Sequence, residues 1–127
     1  MQKYTKFDNV AVIYSPSFGA GWYTWNYMHY PAPERMIFDS DLVQILLDRD
    51  EKLFQENDLE YRKKILDESE EKFLIRLNEL FDSFDASVFD IENLEIAWIP
   101  KGVEFFIKEY DGSESIQTKD NFKWIKA

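Results

Sequence analysis

An α+β fold is what this sequence predicts: an antiparallel β-sheet, made of a C-terminal meander plus an N-terminal strand, packed against two acidic amphipathic helices. Three observations predict it. Residues 9–15 are a short β-branched run closed by Pro16. Residues 34–99 hold neither glycine nor proline, and their apolar residues recur at helical spacing. Beyond residue 93 the pattern changes to period two, with glycine turns between the runs. A chain of 127 residues fits one domain, expected to span residues 1–127.

Taken in order, Asn9 to Ser15 is apolar enough for a buried strand, and Pro16 stops it because proline has no N–H for the ladder. Residues 16–33 read as a long connection carrying Gly19, Gly21, Pro31 and Pro33. Arg35 to Phe38 is expected to be a second short strand. Ser40 then reads as an N-cap opening a helix through Leu42, Val43, Leu46 and Leu47 that ends near Asp50. A second helix is expected from Asn57 or Asp58, with Glu60 placed for a capping box. Its stripe is Leu66, Phe73, Leu77, Leu80, Phe81 and Phe84, and that face should pack on a sheet. The other face carries Asp67, Glu68, Glu70, Glu71, Arg76 and Glu79.

In the last third, Leu94, Ile96 and Trp98 alternate with Glu95 and Ala97, and Pro100-Lys101-Gly102 signals a turn. Val103, Phe105 and Ile107 alternate with Glu104, Phe106 and Lys108. Asp111-Gly112 is a hairpin signal, because both central residues of a type I′ turn need positive φ. Ser115 to Thr118 should return antiparallel, and Phe122 to Ile125 should close a meander of three or four strands.

Composition narrows the function classes. With no cysteine, disulfides, thiolate zinc sites and thiol nucleophiles are excluded, and reducing cytoplasm is the expected compartment. The run Val10–Tyr14 is too short for a signal peptide's apolar region, and no stretch reaches the ~18 apolar residues of a membrane span. The formal charge is −10, and residues 39–95 alone carry 18 acids against 7 bases. Phosphate grooves need the opposite sign, so neither nucleic acid nor a membrane is the expected partner. A basic protein or a cation suits the acidic segment better; a merely solvated helical face is the competing reading.

The densest chemistry lies in Tyr14–Tyr30, which holds seven of the chain's 22 aromatic residues. Within it, Gly19-Ala20-Gly21-Trp22-Tyr23-Thr24-Trp25-Asn26 combines close backbone approach with flat apolar faces. Trp22, Thr24, Trp25 and Asn26, with Tyr110 and Asp111, are the candidate ligand-binding residues. The competing reading has Trp22 and Trp25 lidding the core and Asn26 closing a turn. The Gly-x-Gly pair lacks the third glycine of a dinucleotide fingerprint. His29 is the single histidine, so no histidine metal triad exists, and no motif marks Ser15 or Ser17 as a nucleophile. Glu109, Asp111 and Glu114 gather three carboxylates beside Gly112, without the spacing of a calcium-binding loop. No catalytic residue, metal site or cofactor is assigned.

The strand followed by Gly19–Asn26, the acidic helical middle, Trp98-Ile99-Pro100-Lys101-Gly102 and Glu109-Tyr110-Asp111-Gly112-Ser113-Glu114-Ser115 together resemble a group of small uncharacterised proteins of bacteriophages and prophages. The resemblance covers the two ends and not the middle. It implies a phage-encoded accessory protein working in host cytoplasm, and it implies that the two end motifs meet in space. Three functional expectations follow. The chain is a non-enzymatic accessory protein that binds a host or phage component and antagonises a host factor. Alternatively it captures a nucleotide-like or other planar compound in the Gly/Trp loop. The third is a carboxylate- or metal-dependent hydrolase. Exposed strand edges leave a homodimer open.

Overall fold

The computed structural model of the chain describes residues 1–85, 89–119 and 127. The expected α+β class stands. Strands β1 (Thr5–Lys6) and β2 (Asn9–Tyr14) form a hairpin, and β3 (Glu95–Pro100) pairs antiparallel with the other edge of β2. The order β1-β2-β3 makes β2 the central strand, and Ala11, Val12 and Ile13 are all buried. Burial on both faces explains why this strand reads as a continuous apolar run rather than an alternation. The β1–β2 turn uses Phe7 and Asp8 at positive φ, a hairpin that lacks the glycine signal.

Strands β4 (Phe105–Tyr110) and β5 (Ser113–Thr118) form a second sheet of two strands. The expected single meander is corrected here: β3 pairs with β2, and Pro100-Lys101-Gly102 leads from one sheet to the next. The physical reason is competition for the edge of β3. The buried run of β2 pairs with it along six residues, and Lys101 N–H is drawn to Asp8 O at 2.8 Å. The proposed closing strand, Phe122 to Ile125, lies outside the described residues.

Among the described residues, four α-helices complete the fold. The first, α1 (Tyr23–Asn26), is one turn, continued by a 3₁₀ turn over Tyr27–His29. The second, α2 (Arg35–Phe38), corrects the expected short strand. The N–H groups of Phe38 and Asp39 bond back to Glu34 O and Arg35 O, so this segment is a helical turn laid against β2. Four apolar-rich residues carry too little periodicity to separate the two states.

Helix α3 (Ser40–Gln55) starts one residue earlier than expected and runs one turn longer. Its cap is Asp39, whose carboxylate accepts from Leu42 N–H at 3.1 Å, in place of Ser40. Helix α4 (Leu59–Phe81) is capped by Asp58, which accepts from the N–H groups of Glu60 and Tyr61. With Asp58 as the cap, Glu60 stands one position short of the capping-box site. The stripe Phe73, Leu77 and Phe81 is buried, with Phe84 just past the helix end. It faces α3 and an aromatic core rather than lying chiefly on strands: Trp22 sits within 5.4–5.8 Å of the rings of Phe73, Phe84 and Phe89. Arg76 on α4 grips the buried carboxylate of Asp39 with two nitrogens, at 2.8 and 2.9 Å, so the cap of α3 is locked to α4.

Candidate functional site

The two motifs at the ends of the chain meet. Strand β2 delivers Ser15 beside the start of β5, where Ser15 N–H donates to Glu114 Oε1 at 2.8 Å and Glu114 N–H donates to Ser15 O at 2.7 Å. The other carboxylate oxygen of Glu114 accepts from both Thr24 N–H and Thr24 Oγ1–H, each at 2.8 Å. Glu114 is only 2% exposed, so its charge is met by two backbone N–H groups and one hydroxyl instead of water. One side chain therefore ties together the end of β2, the first turn of α1 and the β4–β5 hairpin.

The hairpin tip is held as firmly. Gly19 N–H donates to Asp111 O at 2.7 Å, and Ser113 Oγ–H donates to Pro16 O at 2.6 Å. Glu109 Oε1 accepts from both the Trp25 indole N–H (2.9 Å) and Gly112 N–H (2.8 Å). The Trp25 bond, and then the Gly112 bond, hold the Glu109 carboxyl below the usual glutamate range. Gly112 has a second requirement besides its positive φ of 84°: a Cβ there would lie 2.6 Å from Ala20 N, because the loop backbone passes directly over the turn. Gly112 thus serves close backbone contact between the motifs, whereas a Cβ on Gly21 would meet the Trp25 and Thr24 side chains of its own loop and one on Gly19 would meet open space.

The six candidate ligand residues separate into interior and surface. Trp22 is wholly buried, with its indole N–H on Met36 O at 2.9 Å, and Asn26 is buried with its amide on Trp22 O at 2.7 Å. Both follow the core-lid reading. Thr24 is engaged by Glu114, and Asp111 occupies the turn at φ 49°. Trp25 (46% exposed) and Tyr110 (76% exposed) present faces to solvent, and Tyr110 meets the Phe18 ring edge-on at 6.3 Å. The three carboxylates of the hairpin do not converge: Glu114 is buried in the clasp, while Glu109 is turned to Trp25. Among the described residues no group of three acidic or histidine side chains is placed to hold a metal ion.

Beside the clasp lies a groove of about 510 Å³ that the sequence did not reveal. Its walls come from α1 (Tyr23, Thr24) with the adjoining Tyr27, from α2 and its preceding residue (Glu34, Ile37, Phe38), and from β4 (Phe105, Phe106, Ile107). Tyr23 and Tyr27 stack with centroids 5.4 Å apart, and Phe38 meets Phe105 edge-on at 6.0 Å. Burial first, then the Glu34 and Tyr27 charges, push the Tyr23 hydroxyl above its ordinary range. One signal was available, the four-residue spacing of Tyr23 and Tyr27. Reading Arg35–Phe38 as a strand concealed the rest.

Two larger clefts have less to offer a ligand. One, about 650 Å³, lies between the α3–α4 pair and β3, but its Arg49 donates to Ile91 O, Leu94 O and Asp50, and Arg62 donates to Leu53 O and Glu56 O. Its cations are bound to the fold itself. The other, about 680 Å³, separates β3 from β5 and is lined by residues of the two strand edges. The helical acids do not form a single surface either. Lys63, Lys64 and Lys72 share the exposed face of α4 with Glu60, Asp67, Glu68 and Glu71, and Asp39, Asp41 and Glu79 surround Arg76.

No described helix is long and apolar enough to cross a membrane. Compared with known proteins, the chain matches no family model, no curated protein and no solved structure.

Proposed function

We propose that this chain is a non-enzymatic accessory protein of phage type that binds a host or phage protein in the cytoplasm and antagonises a host factor. The observation that carries the reading is a run of exposed aromatic surface built around α1 and the β4–β5 hairpin. Trp25, Tyr27, Phe106, Tyr110 and Phe18 are all substantially solvent-facing. They are linked through the Trp25–Glu109 bond, the Phe18–Tyr110 contact and the groove that Tyr27 and Phe106 share. Large exposed aromatics that leave the core unaffected are a feature of binding surfaces, and Trp and Tyr dominate interface energetics. The clasp beneath them holds the backbone rigid, which lowers the entropy cost of association.

The test is affinity capture from host lysate with the wild-type chain, with Tyr27→Ala/Phe106→Ala, and with Phe54→Ser, which alters a distant exposed aromatic on α3. A stoichiometric protein lost only with the first variant supports the reading. A partner retained by it, or none at all, overturns the reading. The groove also favours a second reading, capture of a planar compound between its aromatic walls. Native mass spectrometry of the protein purified from host cells would then show a bound small molecule.

A further inference from the structure

The groove beside α1 is aromatic on three sides and acidic at one point. The stacked pair Tyr23 and Tyr27 faces the edge-on pair Phe38 and Phe105, with Phe106 adjoining. The single formal charge in the lining belongs to Glu34. Among the described residues Glu34 takes part in no ion pair; the Asp and Glu residues that do are Asp39, Asp41, Asp50, Glu79 and Glu104. Its negative potential is felt inside the groove, since it contributes to holding the proton on Tyr23.

Aromatic faces and one unpaired carboxylate are complementary to an organic cation. The ring quadrupole attracts the charge, the ring faces cover the attached methylenes, and the carboxylate takes a hydrogen bond. The protein already uses the first of these nearby: Lys3 Nζ stands 4.4 Å from the centre of the Phe38 ring, and the Arg35 guanidinium lies 4.5 Å over Phe81. The formal charge of −10 is carried by residues 39–95, none of which lines the groove, so the local attraction for a basic side chain rests on Glu34.

We infer that the Tyr23–Tyr27–Phe106 groove receives a lysine or arginine side chain of the partner protein, with Glu34 pairing its charge. The inference rests on the interface reading above and names the chemistry the partner must present. An uncharged aromatic residue or a planar small molecule in the same groove is the alternative that the test must separate.

The probes are N-acetyl-arginine methylamide and N-acetyl-lysine methylamide, with N-acetyl-norleucine methylamide as the uncharged control. Each is titrated into isotope-labelled protein and followed by NMR at the Tyr23, Tyr27 and Phe106 rings. The cationic amides should shift those resonances and the norleucine amide should not. Glu34→Gln, an exposed substitution whose fold is checked in the same spectra, should weaken the response by about five-fold. Equal shifts from norleucine, an unchanged response in Glu34→Gln, or no shift from either cation overturns the inference. The two levels fail separately. If Tyr27→Ala/Phe106→Ala loses a captured partner while the cationic amides leave the groove untouched, the interface stands and the basic anchor falls. If no partner depends on those residues, the interface reading falls and takes the partner's side chain with it.

Discussion

Replacing Glu114 by glutamine changes one oxygen to a nitrogen at the point where three parts of the fold are tied. The carboxylate accepts from Ser15 N–H, Thr24 N–H and Thr24 Oγ1–H, each at 2.8 Å. A glutamine amide keeps a single acceptor oxygen. Whichever way it is turned, its NH₂ then faces a backbone N–H inside a residue that is 2% exposed. One buried donor left without an acceptor costs about 1–3 kcal/mol, and the remaining bonds lose charge assistance worth about 1 kcal/mol more. The expected loss is therefore ~3 kcal/mol, a large share of the ~5–15 kcal/mol that holds a domain of this size folded. With an unfolding entropy of ~2.1 cal/mol/K per residue over 127 residues, Tm should fall by about 11 °C. Urea and thermal unfolding followed by circular dichroism measure both, and an unchanged m value confirms that stability alone has moved. A loss below about 1 kcal/mol would refute the clasp as a structural linchpin.

Four further outcomes are expected. Gly112→Ala should destabilise by about 3 kcal/mol or more, since left-handed φ and a 2.6 Å approach to Ala20 N act together, whereas Gly102→Ala, with the same hand of φ and open space, should cost about 1 kcal/mol in the same melts. Arg76→Met should cost about 2 kcal/mol in urea midpoint, because it strands the buried Asp39 carboxylate; the figure sits below that of a fully buried pair because Arg76 is 26% exposed. Glu109 has a folded pKa below its unfolded value, so its stabilising contribution is present above the ordinary glutamate range and is lost as pH falls through the depressed value. Trp25 fluorescence should accordingly change only below the ordinary glutamate range, and not in Glu109→Gln; a midpoint at or above the ordinary value argues against the bond. Trp22→Ala should lower stability by about 3–5 kcal/mol as a core truncation, so any loss of binding in that variant reports unfolding, whereas Trp25→Ala should leave the melting curve within about 1 kcal/mol of wild type.

The motifs Gly19–Asn26 and Glu109–Ser115 are joined by hydrogen bonds from Ser15, Thr24, Trp25 and Gly19. Several of their distinctive residues are accounted for by that junction: Gly112 for backbone approach, Thr24 and Glu114 for the buried bond, Asp111-Gly112 for the turn. That junction does not require the exposure of Trp25, Tyr110 and Phe18, which with Tyr27 and Phe106 form the surface on which the proposed binding role rests.

Local rules were enough for α3 and α4, the strands β2, β3, β4 and β5, and the Asp111-Gly112 turn, since each depends on a short-range pattern: capping carboxylates, a helical stripe, alternation, or a positive-φ pair; they did not give α1, expected as part of a connection, or α2, expected as a strand. Ligand clamp and core lid were legible as alternatives for Trp22 and Trp25 alike; Trp22 is in the core and Trp25 is not, because an indole suits either place and only its neighbours decide. The pairing of β3 with β2 in place of β4 was not legible, because the choice between two available strand edges depends on which contacts residues 9 to 15 make from some 85 positions away. Nor was the burial of Glu114, which depends on two N–H groups and a hydroxyl brought from residues 15 and 24. The aromatic groove is of the same kind: its rings come from α1, α2 and β4, and no window of sequence contains them together. Composition and periodicity thus determined the longer elements and the fold class, and long-range packing alone decided which side chains became core, which became clasp, and which stayed exposed.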